Sequence, residues 1–442
     1  MSHELELKHL GPIEYCKFSI DDFTVFTGPQ SNGKSTVAKA IYFFRTVKQD
    51  ILSIMMQGGP QVVAGNSSVT WEYILKQRMK DKFLQLFGTS WVMPHDMTMK
   101  YTYQKGVSIS VNLNVHPEDN SKNYVNLIFS QRIQEFFEEL SNHSFVDITA
   151  GQKASEEKAL AKLFHDPYET VFIPAGRNLI TLLSTQLNYI FTSLEDSQLR
   201  NIDYITKKYT ELILKLKPMF GQGMAGIINE VESDPIRLQK YEENRAAIKI
   251  LMEVADQVLN GTYRYTESEE RLYVTENKYV KINLASSGQQ EVVWVFNLLF
   301  YYLLENRKVF LILEEPESHL YPSSQRMMGE VLALILNCGN TGLITTHSPY
   351  ILGTFNYLLL AGQTPAACQD QVIHEIRRRI WIEAKTASAY YIHDGVMDSA
   401  VNEEDGLKLI KNELIDGASN EINERTDFLL EFFFEEGDRN DD

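Results

Sequence analysis

Nine consecutive residues carry the first chemical signal. Gly28-Pro29-Gln30-Ser31-Asn32-Gly33-Lys34-Ser35, followed by Thr36, fits the pattern G-x-x-x-x-G-K-[ST]. Glycines in such a run let the backbone turn tightly, so that successive N–H groups converge on phosphate oxygens. Lys34 would reach the β and γ phosphates, and the Ser35 hydroxyl would meet a Mg2+ ion. A helix starting at this point adds its positive end. The chemistry implied is the cradling of ATP with Mg2+.

Three further segments could complete such a site. Glu314 and Glu315 follow the apolar run Val309–Leu313. Ligands of open α/β sheets bind beyond the carboxyl ends of strands, which is where this pair would stand. Glu314 suits the metal and its waters, and Glu315 suits the attacking water. Leu343-Ile344-Thr345-Thr346-His347-Ser348 is a second short strand, with a histidine at its tip. His347 could contact the γ-phosphate or position the water. Ser286, Ser287, Gly288 and Gln289 precede an apolar helix reaching about residue 304. Small residues at a helix start expose N–H groups to an anion. Taken alone, that segment is only a good N-cap. Beside an existing phosphate loop, it makes most sense as serving the nucleotide of another subunit.

In this order, the four segments resemble the ABC-type ATPases, which include the SMC-like and RecF-like DNA-repair proteins and the OLD-like ATPases of bacterial phage defence. Gly28–Ser35 matches Walker A. Ala285-Ser286-Ser287-Gly288-Gln289 stands at the signature position. Leu313-Glu314-Glu315-Pro316-Glu317 matches Walker B, with Glu314 where Asp is usual, and His347 matches the switch histidine. Glu-Glu-Pro-Glu-Ser-His-Leu-Tyr-Pro at 314–322, Thr-Thr-His-Ser-Pro at 345–349 and Pro174-Ala175-Gly176-Arg177 look like the OLD-like group. Arg177 would reach phosphate, a partner, or only a surface carboxylate. Spacing does not place a Q-loop glutamine, for which Gln57, Gln131 and Gln152 are the candidates.

The resemblance implies an ABC-type P-loop head of α/β class. It would have a mixed sheet, an inserted helical/β lobe and no long coiled coil. It implies a head-to-head dimer, or a higher homo-oligomer, with ATP between Lys34 of one subunit and Ser287-Gly288 of the other. It further implies an ATPase subunit of a phage-defence complex of the PARIS or Septu type, controlling a separate effector nuclease and answering a phage-derived trigger. The alternative is a RecF-like clamp that binds DNA directly through Lys76, Arg78, Lys80, Lys82 and the run Arg377-Arg378-Arg379. TOPRIM and HNH patterns are not found after residue 360, so the nuclease is expected on another chain.

These segments must be held by a framework, and the hydropathy pattern supplies one. Strands are expected over 1–27 and a helix over 34–50. A mixed block over 51–165 reads as an insertion, with a strand at Val107–Val115 and a helix at Gln131–Leu140. A strand follows at Thr170–Pro174. Residues 166–260 add a mostly helical lobe, in which Leu199, Ile202, Ile205, Tyr209, Leu212 and Leu216 recur at helical spacing. The second ATPase lobe spans 261–397, and an acidic segment spans 398–442.

Composition narrows the classes. The 442 residues are 44% apolar and 23% charged, ordinary globular values, with a net charge of −17. Residues 398–442 hold fifteen Asp or Glu against four Lys or Arg, a net of −11, leaving −6 for the rest. That leaves room for a local basic groove, although an acidic chain does not grip DNA by bulk attraction. Three scattered cysteines argue against a disulfide framework. No signal-peptide pattern and no bilayer-length apolar run are visible, so a cytoplasmic chain with no membrane partner is expected.

Overall fold

The computed structural model describes residues 3–66, 68–116, 119–143, 145, 148–182, 203–404 and 406–437. The chain opens with β1 (His3–Leu10), β2 (Ile13–Ile20) and β3 (Phe23–Thr27). Next come α1 (Lys34–Arg45), α2 (Val47–Met56), α3 (Pro60–Ala64) and α4 (Trp71–Phe87). The helix expected over 34–50 is therefore two helices. They break at Thr46, whose hydroxyl donates to the Tyr42 carbonyl at 2.8 Å.

Strands β4 (Thr98–Gln104), β5 (Val107–His116) and β6 (Asp119–Phe129) lead to α5 (Gln131–Ser141), α6 (Ala150–Leu163) and β7 (Glu169–Ile173). The helical stretch contains α7 (Tyr204–Leu216), α8 (Gly223–Val231) and α9 (Pro235–Leu259). Ile205, Tyr209 and Leu216 of the expected stripe are buried on α7, while Leu199 and Ile202 lie outside the described residues. β8 (Thr262–Thr266), β9 (Glu269–Thr275) and β10 (Lys278–Lys281) form a small separate sheet.

The last part holds α10 (Ser287–Leu304), β11 (Val309–Glu314), α11 (Pro322–Asn337), β12 (Thr341–Thr345) and α12 (Pro349–Gly362). The hairpin β13 (Ala387–His393) and β14 (Val396–Ser399) follows. The main sheet has eleven strands in the order β6-β5-β4-β1-β2-β14-β13-β3-β12-β11-β7. Its β13-β3-β12-β11-β7 part is parallel, and β6-β5-β4-β1-β2 is antiparallel.

An apolar run without polar alternation must be covered on both faces. β11 is such a run, and all six of its residues are buried. Val309, Leu311 and Leu313 pack toward α10, α11 and α12, while Phe310 and Ile312 pack with α1 and the β4–β6 wing. Two hydrophobic cores thus sandwich the parallel strands and fix their carboxyl ends along one edge. Among the described residues, the longest helices have 25 and 26 residues, and none is apolar enough to cross a membrane.

Candidate functional site

Strand register sets the site. Phe26 pairs with Thr345, Thr345 with Glu314, and Leu313 with Ile173. The segments that follow these strands therefore emerge side by side. They are the Gly28–Ser35 loop, Thr346-His347, Glu315, and Pro174–Arg177.

The loop is held by glycines that only glycine could fill. Gly28 has φ +137°, and a Cβ there would collide with the Ile392 carbonyl. Gly33 has φ +104°, and its Cβ would strike Ile13. Lys34 is buried at the start of α1 and donates from Nζ to the carbonyls of Gly28 at 2.8 Å and Pro29 at 2.7 Å. Burial pulls its pKa down to about 8, against the pull of Glu315 and Glu317. An ammonium held by two neutral carbonyls in a buried loop is poised to take stronger, anionic acceptors.

Glu314 is buried at the end of β11, and burial pushes its pKa up, opposed first by the Ser35 hydroxyl. Oε2 accepts from the Ala175 N–H at 3.4 Å, but the buried Oε1 has no hydrogen-bond partner. An orphaned carboxylate oxygen beside a serine hydroxyl is a pair of oxygen donors of the type a Mg2+ ion takes, alongside waters and phosphate oxygens.

Glu315 is half-exposed and sits in the left-handed region at φ +45°. Its N–H donates to the Thr345 carbonyl at 2.9 Å, and Ser318 Oγ donates to its Oε2 at 3.2 Å. Its Oε1 lies 3.8 Å from His347 Nε2. The His347 pKa is lowered by burial and then by Lys34, which favours the neutral ring, against the pull of Glu315. Gly28's backbone also bonds the ring. Lys34, Glu315 and His347 are thus brought together from three strands.

Glu317, the last residue of the Leu313–Glu317 motif and carrying no role in the sequence pattern, orients this corner. Its Oε1 accepts from the His347 N–H at 2.6 Å and from Thr346 Oγ1 at 2.8 Å. Burial raises its pKa.

Arg177 is fully buried, so a surface ion pair is excluded. It donates to the Pro174 carbonyl at 2.8 Å, to Glu314 at 2.6 Å and to Glu315 at 2.9 Å. Nε donates to the Glu291 carbonyl at 3.0 Å and lies 3.2 Å from the buried Glu291 carboxylate. One side chain therefore ties β11's end to the helix that carries the signature segment.

Ser286 caps α10 in a reciprocal box with Gln289, whose Nε2 also donates to the Leu259 carbonyl at 2.6 Å. Ser286 and Ser287 remain exposed. A Cβ on Gly288 would stand 2.6 Å from the His319 carbonyl, so the segment packs against the loop after β11. Leu284 and Tyr321 flank it with 74% and 75% exposure.

The three candidate Q-loop glutamines are occupied elsewhere. Gln57 accepts from Arg78, Gln131 donates to Glu135, and Gln152 caps α6. Three of the seven candidate DNA cations, Lys76, Lys82 and Arg377, stand in ion pairs. Lys82 is buried against Asp50 and Thr46, Arg78 also donates to Ser53, Lys76 pairs with Glu72, and Arg377 pairs with Glu253.

A phosphate loop between β3 and α1, facing carboxylates at the end of the next strand but one, makes this a P-loop ATPase in class. The chain belongs to the AAA ATPase domain family, which matches residues 1–352. Solved structures similar to it include the Smc head bound to the C-winged helix domain of ScpA, at 12% identity and a TM-score of 0.36. The SMC head domain from Thermotoga maritima gives 13% and 0.35. Each alignment covers 93% of this chain and 98% of the other. A third, the Smc head domain with an extended coiled coil bound to the C-terminal domain of ScpA derived from Pyrococcus furiosus, gives 12% and 0.33 over 96% and 98%. No curated protein matches the sequence.

Proposed function

We propose that the chain binds and hydrolyses ATP in a head-to-head dimer. Each nucleotide would lie between Gly28–Thr36 of one subunit and Ser286–Gln289 of the other. The observation that carries this reading is the convergence of Lys34, Glu315 and His347 at one sheet edge, while Ser286 and Ser287 stay exposed and bond none of them. Lys34 would exchange the loop carbonyls for phosphate oxygens. Glu315 would accept the proton of the attacking water, and neutral His347 would hold that water or the γ-phosphate in line. Ser35 and Glu314 would hold Mg2+, which when bound neutralises phosphate charge.

The motif spelling supports a finer reading, in which this ATPase serves a phage-defence complex and its nucleotide state controls a separate effector nuclease. The pairing of Lys76, Lys82 and Arg377 with carboxylates favours this over a DNA clamp. Co-expression with the product of the neighbouring gene tests it. Retention of a nuclease product on the tagged ATPase, and protection of cells only when both are present, are expected. Tight DNA binding by the ATPase alone, with a steep salt dependence, would instead support the clamp.

A further inference from the structure

We infer that the inserted lobe supplies the pocket for the base and ribose of the bound nucleotide. This rests on the reading of Gly28–Ser35 as the phosphate site. A cavity of about 460 Å³ opens directly from that loop, lined by Ser35 and Thr36 on α1's first turn. Its far wall is Leu86, Phe87, Val92, Met93 and Pro94, at and beyond the end of α4. The volume falls within the ordinary range for small-molecule sites, and the wall is mainly apolar, with Thr89 and Lys39 as polar members of the lining.

Direction decides which part of the nucleotide enters. Lys34, Glu315 and His347 mark the γ-phosphate end, on the β12 and β11 side of the loop. The base must therefore run the other way. At the loop's start that way is crowded, because the Ile392 carbonyl sits where a Gly28 Cβ would be. At Thr36 it is open. Thr36 and Gly11 both line the cavity, which continues past them to Phe87 and Met93.

The wall is built to hold its shape. Phe87 is braced against Phe43 of α1 at 6.2 Å between ring centroids and against Phe83 at 5.1 Å. Val92, by contrast, is 84% exposed, an apolar side chain with a free face toward the cavity mouth. Stacking and apolar contact with a base contribute in a way that bare phosphates cannot use.

The test compares ATP with inorganic tripolyphosphate on the full chain. Wild type is expected to bind ATP the more tightly. The double substitution Val92→Ser with Met93→Ser should weaken ATP roughly tenfold and leave tripolyphosphate unchanged. Both positions carry surface, and a matching unfolding curve checks the fold. Independently, light-activated 8-azido-ATP should label the 86–94 peptide. Labelling at 391–395, or unchanged ATP affinity in the double variant, overturns the pocket while Lys34→Ala still abolishes binding of both ligands. Loss of neither ligand on Lys34→Ala overturns the phosphate site itself, and the pocket with it.

Discussion

Arg177 holds Glu315 by its backbone, donating from Nη2 to the Glu315 carbonyl at 2.9 Å. Glu315 is a non-glycine residue at φ +45°, a conformation that persists only when its surroundings over-determine it. The same guanidinium reaches the Glu314 and Pro174 carbonyls and the Glu291 carboxylate. Removing it would leave Glu291 buried and uncompensated. Arg177→Ala should therefore cost about 3–5 kcal/mol in urea unfolding. Arg177→Lys should recover part of that stability but little ATPase activity, because one compact ammonium cannot span four carbonyls reached by a guanidinium fork. Full activity in the lysine variant would contradict a positioning role.

Lys34 gives a pH signature. Its pKa is held down to about 8 by burial, so the side chain carries charge below that pH and loses it above. Bound phosphate favours the charged form. ATP affinity should be flat below about pH 7.5 and should weaken as pH rises through 8, with proton uptake on binding near zero at pH 7, about half a proton at pH 8 and approaching one about a unit higher. Calorimetry in buffers of different ionisation enthalpy measures that uptake. Lys34→Arg, if it binds, should show neither the proton nor the slope.

Glu315→Gln separates binding from chemistry. The amide keeps the shape and the Ser318 contact but cannot take a proton at neutral pH. Hydrolysis should fall by roughly 10²–10⁴-fold with ATP affinity retained. With ATP, light scattering should report a stable dimer. Turnover at the wild-type rate would assign the base elsewhere.

Much of this site was legible because its parts are punctuated by the backbone. Gly28 and Gly33 sit where φ is positive, and the runs ending at Glu314 and Thr345 are buried strands in sequence as in structure. Arg177 was not legible, since an arginine after a strand is ordinarily exposed, and only the fold brings Glu291 to it across 114 positions. Glu317 was hidden for a related reason. Its partners Thr346 and His347 belong to another strand's end, so no local spacing announces the contact. The wall at Phe87 and Met93 carries no motif at all. Apolar residues read as core until the fold shows one face left open beside a phosphate loop.

The shared site makes the last prediction. Lys34→Ala disables a subunit's phosphate loop, and Ser287→Arg blocks its exposed signature segment. Each variant alone should be inactive, because every composite site then lacks one half. In a two-fold dimer, a mixed pair holds one site with both defects and one with none. Random assortment makes half the dimers mixed, each with one intact site of two, so an equimolar mixture should recover about a quarter of wild-type hydrolysis. A site complete within one chain predicts no recovery at any ratio. The mixture therefore distinguishes a nucleotide shared between subunits from one held by a single chain, whatever partner the assembled ATPase goes on to control.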